Sequence, residues 1–282
     1  MSDAAERHRL QVEAWDGPMG QQWVLSEART ERVLVPVTEA LLAIAAPQPG
    51  ERVLDIGCGC GGSSLAFARA VGPGGEVIGA DVSTAVLEVA RGTAAANTRY
   101  IHADAAGHDF GGTDADLLTS RFGVMFFGDP DAAFGNLRRA LKPSGRLAFA
   151  CWRSLAANPW VRVPMQAMLT VMEAPPRPGP EDPGPFAFGD PARVTRILTA
   201  GGFTTPTLRE FDFDLMFPAD PEAAALAISN TSVVGRMLRD QPDDIRAKAI
   251  AAIATAVAPL AANGYIRLGG AVWLVTAKPD LP

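Results

Sequence analysis

The chain has 282 residues, enough for one large domain or for a domain with a lid. Its 48% apolar content can build a core, and its formal charge of −6 argues against a protein that grips phosphate backbones, so no nucleic acid is expected as a partner. Three cysteines argue against a disulfide framework, and no uninterrupted apolar stretch reaches membrane-spanning length. Met1 to Leu10 is polar and charged without the apolar run of a secretory leader, so the expected location is cytoplasmic. Gly17-Pro18-Met19-Gly20 then breaks the N-terminal segment. From Glu27 to Ala46, Val33, Leu34, Val37, Leu41 and Leu42 recur at helical spacing, and Pro36 predicts a kink or two shorter helices. Residues 1–48 are read as a helical cover, in which Trp15 and Trp23 either close over a ligand or anchor the cover by packing.

Val53-Leu54-Asp55-Ile56 reads as a buried strand, followed by the glycine loop Gly57-Cys58-Gly59-Cys60-Gly61-Gly62 and a helix from about Ser63. A second strand, Glu76 to Ala80, leads into Asp81. This is the layout of a nucleoside-binding α/β unit, in which the distant acid holds ribose hydroxyls. Gly57, Gly59 and Gly62 satisfy a dinucleotide spacing; Asp55 with Gly57, Gly59 and Gly61 satisfies the D-x-G-x-G-x-G spacing of S-adenosylmethionine (SAM) enzymes. The acid before the first glycine suits a cationic ligand and opposes a pyrophosphate. Cys58 and Cys60 flank Gly59 with no His or further Cys nearby, so they read as small loop residues and no metal is expected.

Further strands are predicted at Thr98 to His102, ahead of Asp104-Ala105, and at Asp116 to Arg121. A turn from Leu141 to Leu147 leads into a fifth. Ser83, Asp129, Asp190 and Asp220 each stand where a helix cap belongs, the three acids before a proline. From about Arg52 to Trp152 the chain resembles the class I SAM-dependent methyltransferases. The segment Ser120-Arg121-Phe122-Gly123-Val124-Met125-Phe126-Phe127 with Asp129-Pro130 is similar to the ubiquinone/menaquinone-biosynthesis branch. The resemblance implies a doubly wound, mostly parallel seven-stranded sheet with helices on both faces and an antiparallel last strand. It also implies roles. Asp55 and the Ser120 carbonyl take the SAM ammonium group, near Gly57. Gly59 and Gly61 admit backbone contact, and Asp81 takes the ribose diol. Val82 packs on adenine, while Asp104 and the Ala105 amide read its edge. Trp23 belongs to the closure over the methionine end.

Residues 49–152 are thus read as the SAM-binding core, and residues 153–189 as a lid, because Ala174 to Pro185 carries six prolines. Residues 190–282 complete the core, with a two-helix insertion at about 220–263 holding the polar run Asn230-Thr231-Ser232. Leu208 to Leu215 and Tyr265 to Ala277 are its strands. Methyl transfer needs reactants held in line more than it needs acid–base groups. His108 is the candidate base, and Phe122, Arg153, Asn158 and Trp160 are the candidate acceptor-pocket residues. The expected activity is methylation of a small aromatic or apolar acceptor. A nicotinamide oxidoreductase is the competing reading, without the Tyr-x-x-x-Lys relay, and a SAM-binding protein lacking transferase activity is a third. The Asn/Asp-Pro-Pro-Tyr/Phe run of adenine and amide nitrogen methylation is replaced by Ser-Arg-Phe-Gly. The Ala-rich stretch Ala247 to Ala262 could pack within one subunit or between two, making a homo-oligomer possible.

Overall fold

The computed structural model describes residues 3–176, 178–179 and 181–280. Two helices open the chain, α1 (Asp3–Trp15) and α2 (Pro18–Ala45). Gly17-Pro18 separates them, with Pro18 in the first turn of α2 where its missing N–H costs nothing. Of the two expectations at Pro36, two shorter helices do not form, and α2 continues through it as a single 28-residue element.

Strand and helix then alternate: β1 (Arg52–Ile56), α3 (Gly62–Val71), β2 (Glu76–Asp81), α4 (Thr84–Gly92), β3 (Thr98–His102), β4 (Ala115–Arg121), α5 (Pro130–Arg138) and β5 (Leu141–Trp152). β1 pairs in parallel with β2 and β4, β2 with β3, and β4 with β5. The turn expected at Leu141 to Leu147 is a bulge inside β5. Ala115 faces Leu141 and Leu117 faces Arg146, so Lys142 to Gly145 bow out, Pro143 having no N–H for the ladder.

After β5 come α6 (Pro159–Met168), α7 (Pro191–Ala200), β6 (Thr207–Pro218), α8 (Pro221–Ser229), α9 (Ser232–Arg239), α10 (Asp243–Val257), β7 (Ala261–Ala262) and β8 (Tyr265–Ala277). The sheet runs β3-β2-β1-β4-β5-β8-β6, with the two-residue β7 beside β8. The path thus has the seven strands expected, β7 adding a short eighth off it, and the last strand, β8, lies antiparallel to β5. The insertion between β6 and β8 holds three helices, not two. Asn230 Nδ2 donates to the Leu226 carbonyl and Thr231 Oγ1 to the Ile228 carbonyl, and helix α8 ends there.

The chain divides into two compact units, one of residues 1–152, 180–211 and 272–282, the other of residues 153–179 and 212–271. The sheet of the first unit is buried on both faces. Ala148 joins Leu41, Val53, Phe67, Val77 and Leu117 in one cluster. Its neighbour Phe149, pointing the opposite way, packs with Phe134 and Phe188, and Phe134 also meets Phe203 edge-on. In the second unit α10 packs on α6 and α8, and α9 on both of these. Helix α6 lies where the sequence suggested irregular chain. Its buried Trp160, Val161, Pro164, Ala167 and Met168 follow helical spacing, with Pro159 in the first turn.

Candidate functional site

The glycine loop follows β1, where parallel strands present their C-terminal ends. Gly57, Gly59 and Gly61 all take positive φ, at 65°, 55° and 89°. Gly57 is also pressed against the loop after β4. A Cβ on it would lie 2.7 Å from the Gly123 Cα, so each position requires the other to be glycine. At Gly59 a Cβ would meet the Trp23 indole nitrogen at 3.3 Å, so α2 lays Trp23 over the loop. Trp23 meets Trp15 edge-on, and Trp15 meets Phe126 in the same way at 5.0 Å.

Asp55 is fully buried. Its Oδ2 accepts from Ser63 Oγ at 2.8 Å and Ser64 Oγ at 2.6 Å, both in the first turn of α3. Its Oδ1 has no hydrogen-bond partner among the described residues. Burial raises its pKa to about 6, against the two seryl hydrogen bonds, which lower it. Asp81 ends β2, accepting the Gly59 N–H on Oδ2 and the Ser83 N–H on Oδ1, both at 2.9 Å. Burial pushes it upward as well, against those amide bonds. Val82 gives its carbonyl to the His102 ring, which is exposed.

Ser83 occupies the N-cap position of α4, but its hydroxyl makes no capping bond. Asp16, at the end of α1, accepts the Thr84 N–H at 2.8 Å instead. Asp104 follows β3. Its Oδ1 accepts the Ala106 N–H at 3.0 Å and its Oδ2 is bonded to His8 Nε2 at 2.7 Å. Burial alone would raise Asp104, but His8 and the Ala106 amide outweigh it and hold its pKa below the usual carboxylate range. Ala105 is buried, with its carbonyl bonded to Asn136 Nδ2.

At the end of β4, Ser120 is buried and its Oγ accepts the Gly123 N–H at 3.1 Å. Phe122 adopts φ of 69°, a strained value for an aromatic residue, and stacks on Trp152 at 4.4 Å. Arg121 keeps its side chain 6% exposed, ion-paired with Glu31 and donating to Thr38 Oγ1 at 2.7 Å. Glu31 also closes on Gly62, leaving no room there for a Cβ.

A family model described as a methyltransferase domain matches residues 53–145. Nocamycin O-methyltransferase of Saccharothrix syringae is 32% identical over 206 residues, 68% of this chain and 71% of that enzyme. The chain belongs to the class I SAM-dependent methyltransferases. A ubiquinone/menaquinone biosynthesis C-methyltransferase of Teredinibacter turnerae is 37% identical over 111 residues, 38% of this chain and 45% of that enzyme. The match to this quinone enzyme therefore spans less than half its length. A putative methyltransferase from an antibiotic biosynthesis pathway of Anabaena variabilis shares the fold at TM-score 0.61 and 14% identity, covering 86% of this chain and 97% of that one.

The methyltransferase site fits SAM on its own geometry. A buried carboxylate oxygen lacks a partner, the loop glycines leave no space for side chains, and two acids are both driven upward by burial. A cationic ligand relieves those acids, whereas a pyrophosphate would add to their charge.

Several predicted residues sit elsewhere. His108 is exposed on the loop after β3 with its ring edge-on to Phe110, at 4.7 Å, so the structure gives it the surroundings of a surface residue. Asn158 is buried and spends its amide within the second unit. Oδ1 accepts from the Ala271 N–H and Trp160 Nε1, while Nδ2 reaches the Arg153, Ser154 and Ala271 carbonyls. That saturates its side chain, and Trp160 is buried beside it. Arg153 pairs with Asp212 at 3.0 Å. Cys58 and Cys60 are buried beside Val86, Leu87 and Tyr100, and burial pushes both thiols up. No group of three or more His, Cys, Asp or Glu among the described residues could hold a metal ion, and none of their helices is long and apolar enough to cross a membrane.

Sequence reasoning missed His8, Glu31 and Arg121. Glu31 and Thr38 stand two turns apart on α2 and both meet Arg121, so the spacing carried a signal. His8, 96 residues from its partner, carried none.

Proposed function

We propose that this methyltransferase modifies a small aromatic or apolar acceptor, a phenol or quinol being the first class to test. The observation that carries the cofactor half of this reading is the pair of burial-raised acids at adjacent strand ends, one of them tied to the glycine loop. In it Asp81 holds the ribose diol, since each oxygen keeps a lone pair beyond its amide bond. Asp55 and the Ser120 carbonyl hold the ammonium group, and Val82, Asp104 and Ala105 line the adenine. Bound SAM supplies a methyl group on a sulfonium, already a strong electrophile. The chain's own part is to fix that group opposite the acceptor and exclude water. Trp23 over Gly59, beside Trp15 and Phe126, forms an apolar closure suited to this. The stacked pair Phe122 and Trp152 next to Gly123 supports an aromatic acceptor, and the relative named for O-methylation of nocamycin supports a small molecule as the acceptor.

Calorimetric titration with S-adenosylhomocysteine (SAH), with NAD and NADP as controls, tests the cofactor roles. Binding of SAH alone is expected, and Asp81→Ala should lose it by at least about tenfold while keeping its unfolding transition. Asp81→Asn, which retains an acceptor for the Gly59 amide, should lose nearly as much. Unchanged affinity in both folded variants would remove Asp81 from the site. Incubation with SAM and a panel of phenols and quinols, read by mass for an added methyl group, tests the acceptor class. A gain confined to macromolecular acceptors would overturn it.

A further inference from the structure

We propose that His8 is a positioning residue for cofactor recognition. It fixes the Asp104 carboxylate so that this acid selects adenine over bases with no amine at the same edge. The inference rests on the reading above that Asp104 faces the adenine amine. His8 lies on α1, outside the matched methyltransferase domain, yet its Nε2 is 2.7 Å from Asp104 Oδ2. Its other ring nitrogen, Nδ1, lies 3.4 Å from the Gly128 N–H, in the loop between β4 and α5. With the ring neutral, that amide requires an acceptor at Nδ1, so the proton sits on Nε2 and is donated to Asp104. With the ring charged, Nε2 still donates.

The seat for His8 is specific. A Cβ at Gly128 would lie 2.5 Å from the His8 N and 2.6 Å from its Cα, so α1 can approach only because residue 128 is glycine. Asp104 is thus held from two sides, by the Ala106 amide on one oxygen and His8 on the other. The Asp104 side chain is 39% exposed, and without His8 one of its oxygens would be left to water. Fixed and ionised, it can only accept. A base bearing an amine meets it with a donor. A base bearing a carbonyl at that position meets it with a second acceptor, so no hydrogen bond forms and the two oxygens repel.

The experiment is calorimetric titration of the full chain with SAH and with its inosine counterpart, S-inosylhomocysteine. The proteins are the wild type, His8→Phe, His8→Gln and Asp104→Asn. The wild type should prefer SAH. His8→Phe should lose about tenfold or more of that preference, as expected for a hydrogen bond to a charged group. His8→Gln, whose amide can donate from a similar position, should keep most of it. Asp104→Asn, which can offer a donor to the carbonyl, should lose it. A wild-type preference that persists in His8→Phe but vanishes in Asp104→Asn overturns the proposal alone. Equal weakening of both ligands in His8→Phe, with the preference intact, likewise makes His8 a packing residue. A preference unaffected by Asp104→Asn overturns the adenine reading and the proposal with it.

Discussion

Asp55 stands under electrostatic tension. It is fully buried, one oxygen is held by two serines, and the other has no partner among the described residues. Its pKa of about 6 lies above the ordinary 3.8. A group raised in this direction keeps its proton in the native state at pH values where the unfolded chain has released it. The ligand-free protein therefore loses stability as pH rises from about 4 to about 6, by ~3 kcal/mol, and the full cost persists above that window. An ammonium group beside the ionised acid recovers part of this cost. SAH affinity should consequently increase with pH through about 6 and level off above it. Asp55→Asn should flatten that profile and weaken binding at pH 8, while raising the melting temperature of the ligand-free protein there. Calorimetry and thermal unfolding across this range check both halves. A wild-type affinity that is level across pH 6 would detach Asp55 from the ammonium group.

At the scale of elements, α4 shows how a correct local rule can choose the wrong residue. Ser83 stands at the N-cap, but its hydroxyl has no hydrogen-bond partner among the described residues, and Asp16 from the end of α1 accepts the Thr84 amide. Removing a working cap costs about 1 kcal/mol. Asp16→Ala should therefore lower the melting temperature by a few degrees, and Ser83→Ala should leave it within about a degree. Equal losses in the two variants would return the cap to Ser83. The same contrast separates what was legible in this sequence from what was not. The alternation from β1 to β5, the glycine loop and the Asp-Pro caps at Asp129, Asp190 and Asp220 rest on contacts within a few residues, and local pattern reports them. Helix α6 falls in the span read as a lid on the strength of the prolines from Ala174 to Pro185, although Pro159 opens the helix and Pro164 is tolerated within it. The division of α8 from α9 depends on Asn230 and Thr231 bonding back to helix carbonyls, which composition does not disclose. The pairs His8–Asp104 and Glu31–Arg121 span 96 and 90 residues, and only the folded chain brings them together.

Across the first unit, residues 3–46 form a cover fastened at the ends of successive strands. His8 meets Asp104 after β3, Asp16 meets Thr84 after β2, Trp23 lies on Gly59 after β1, and Glu31 and Thr38 hold Arg121 at the end of β4. Helix α1 buries no residue and is held by links worth about 1 kcal/mol each, so it can open at modest cost while remaining closed on average, whereas Leu34, Val37 and Leu41 fix the later turns of α2 in the core. The residues that fasten it are the residues proposed to hold SAM or their direct neighbours. A ligand bound by Asp81, Asp104 and the glycine loop must then stabilise the closed cover as well, because each ordered element lowers the cost of ordering the other. Hydrogen exchange followed with and without SAH reads this coupling directly. Amides of α1 and of the first turns of α2 should slow together with those of residues 57–61, and by a similar factor. His8→Phe should leave the slowing at residues 57–61 while reducing it in α1, since that variant releases the cover at one fastening and spares the loop. Protection confined to the glycine loop in the wild type would mean that the cover is fixed scaffold, with cofactor exchange proceeding past a closed roof.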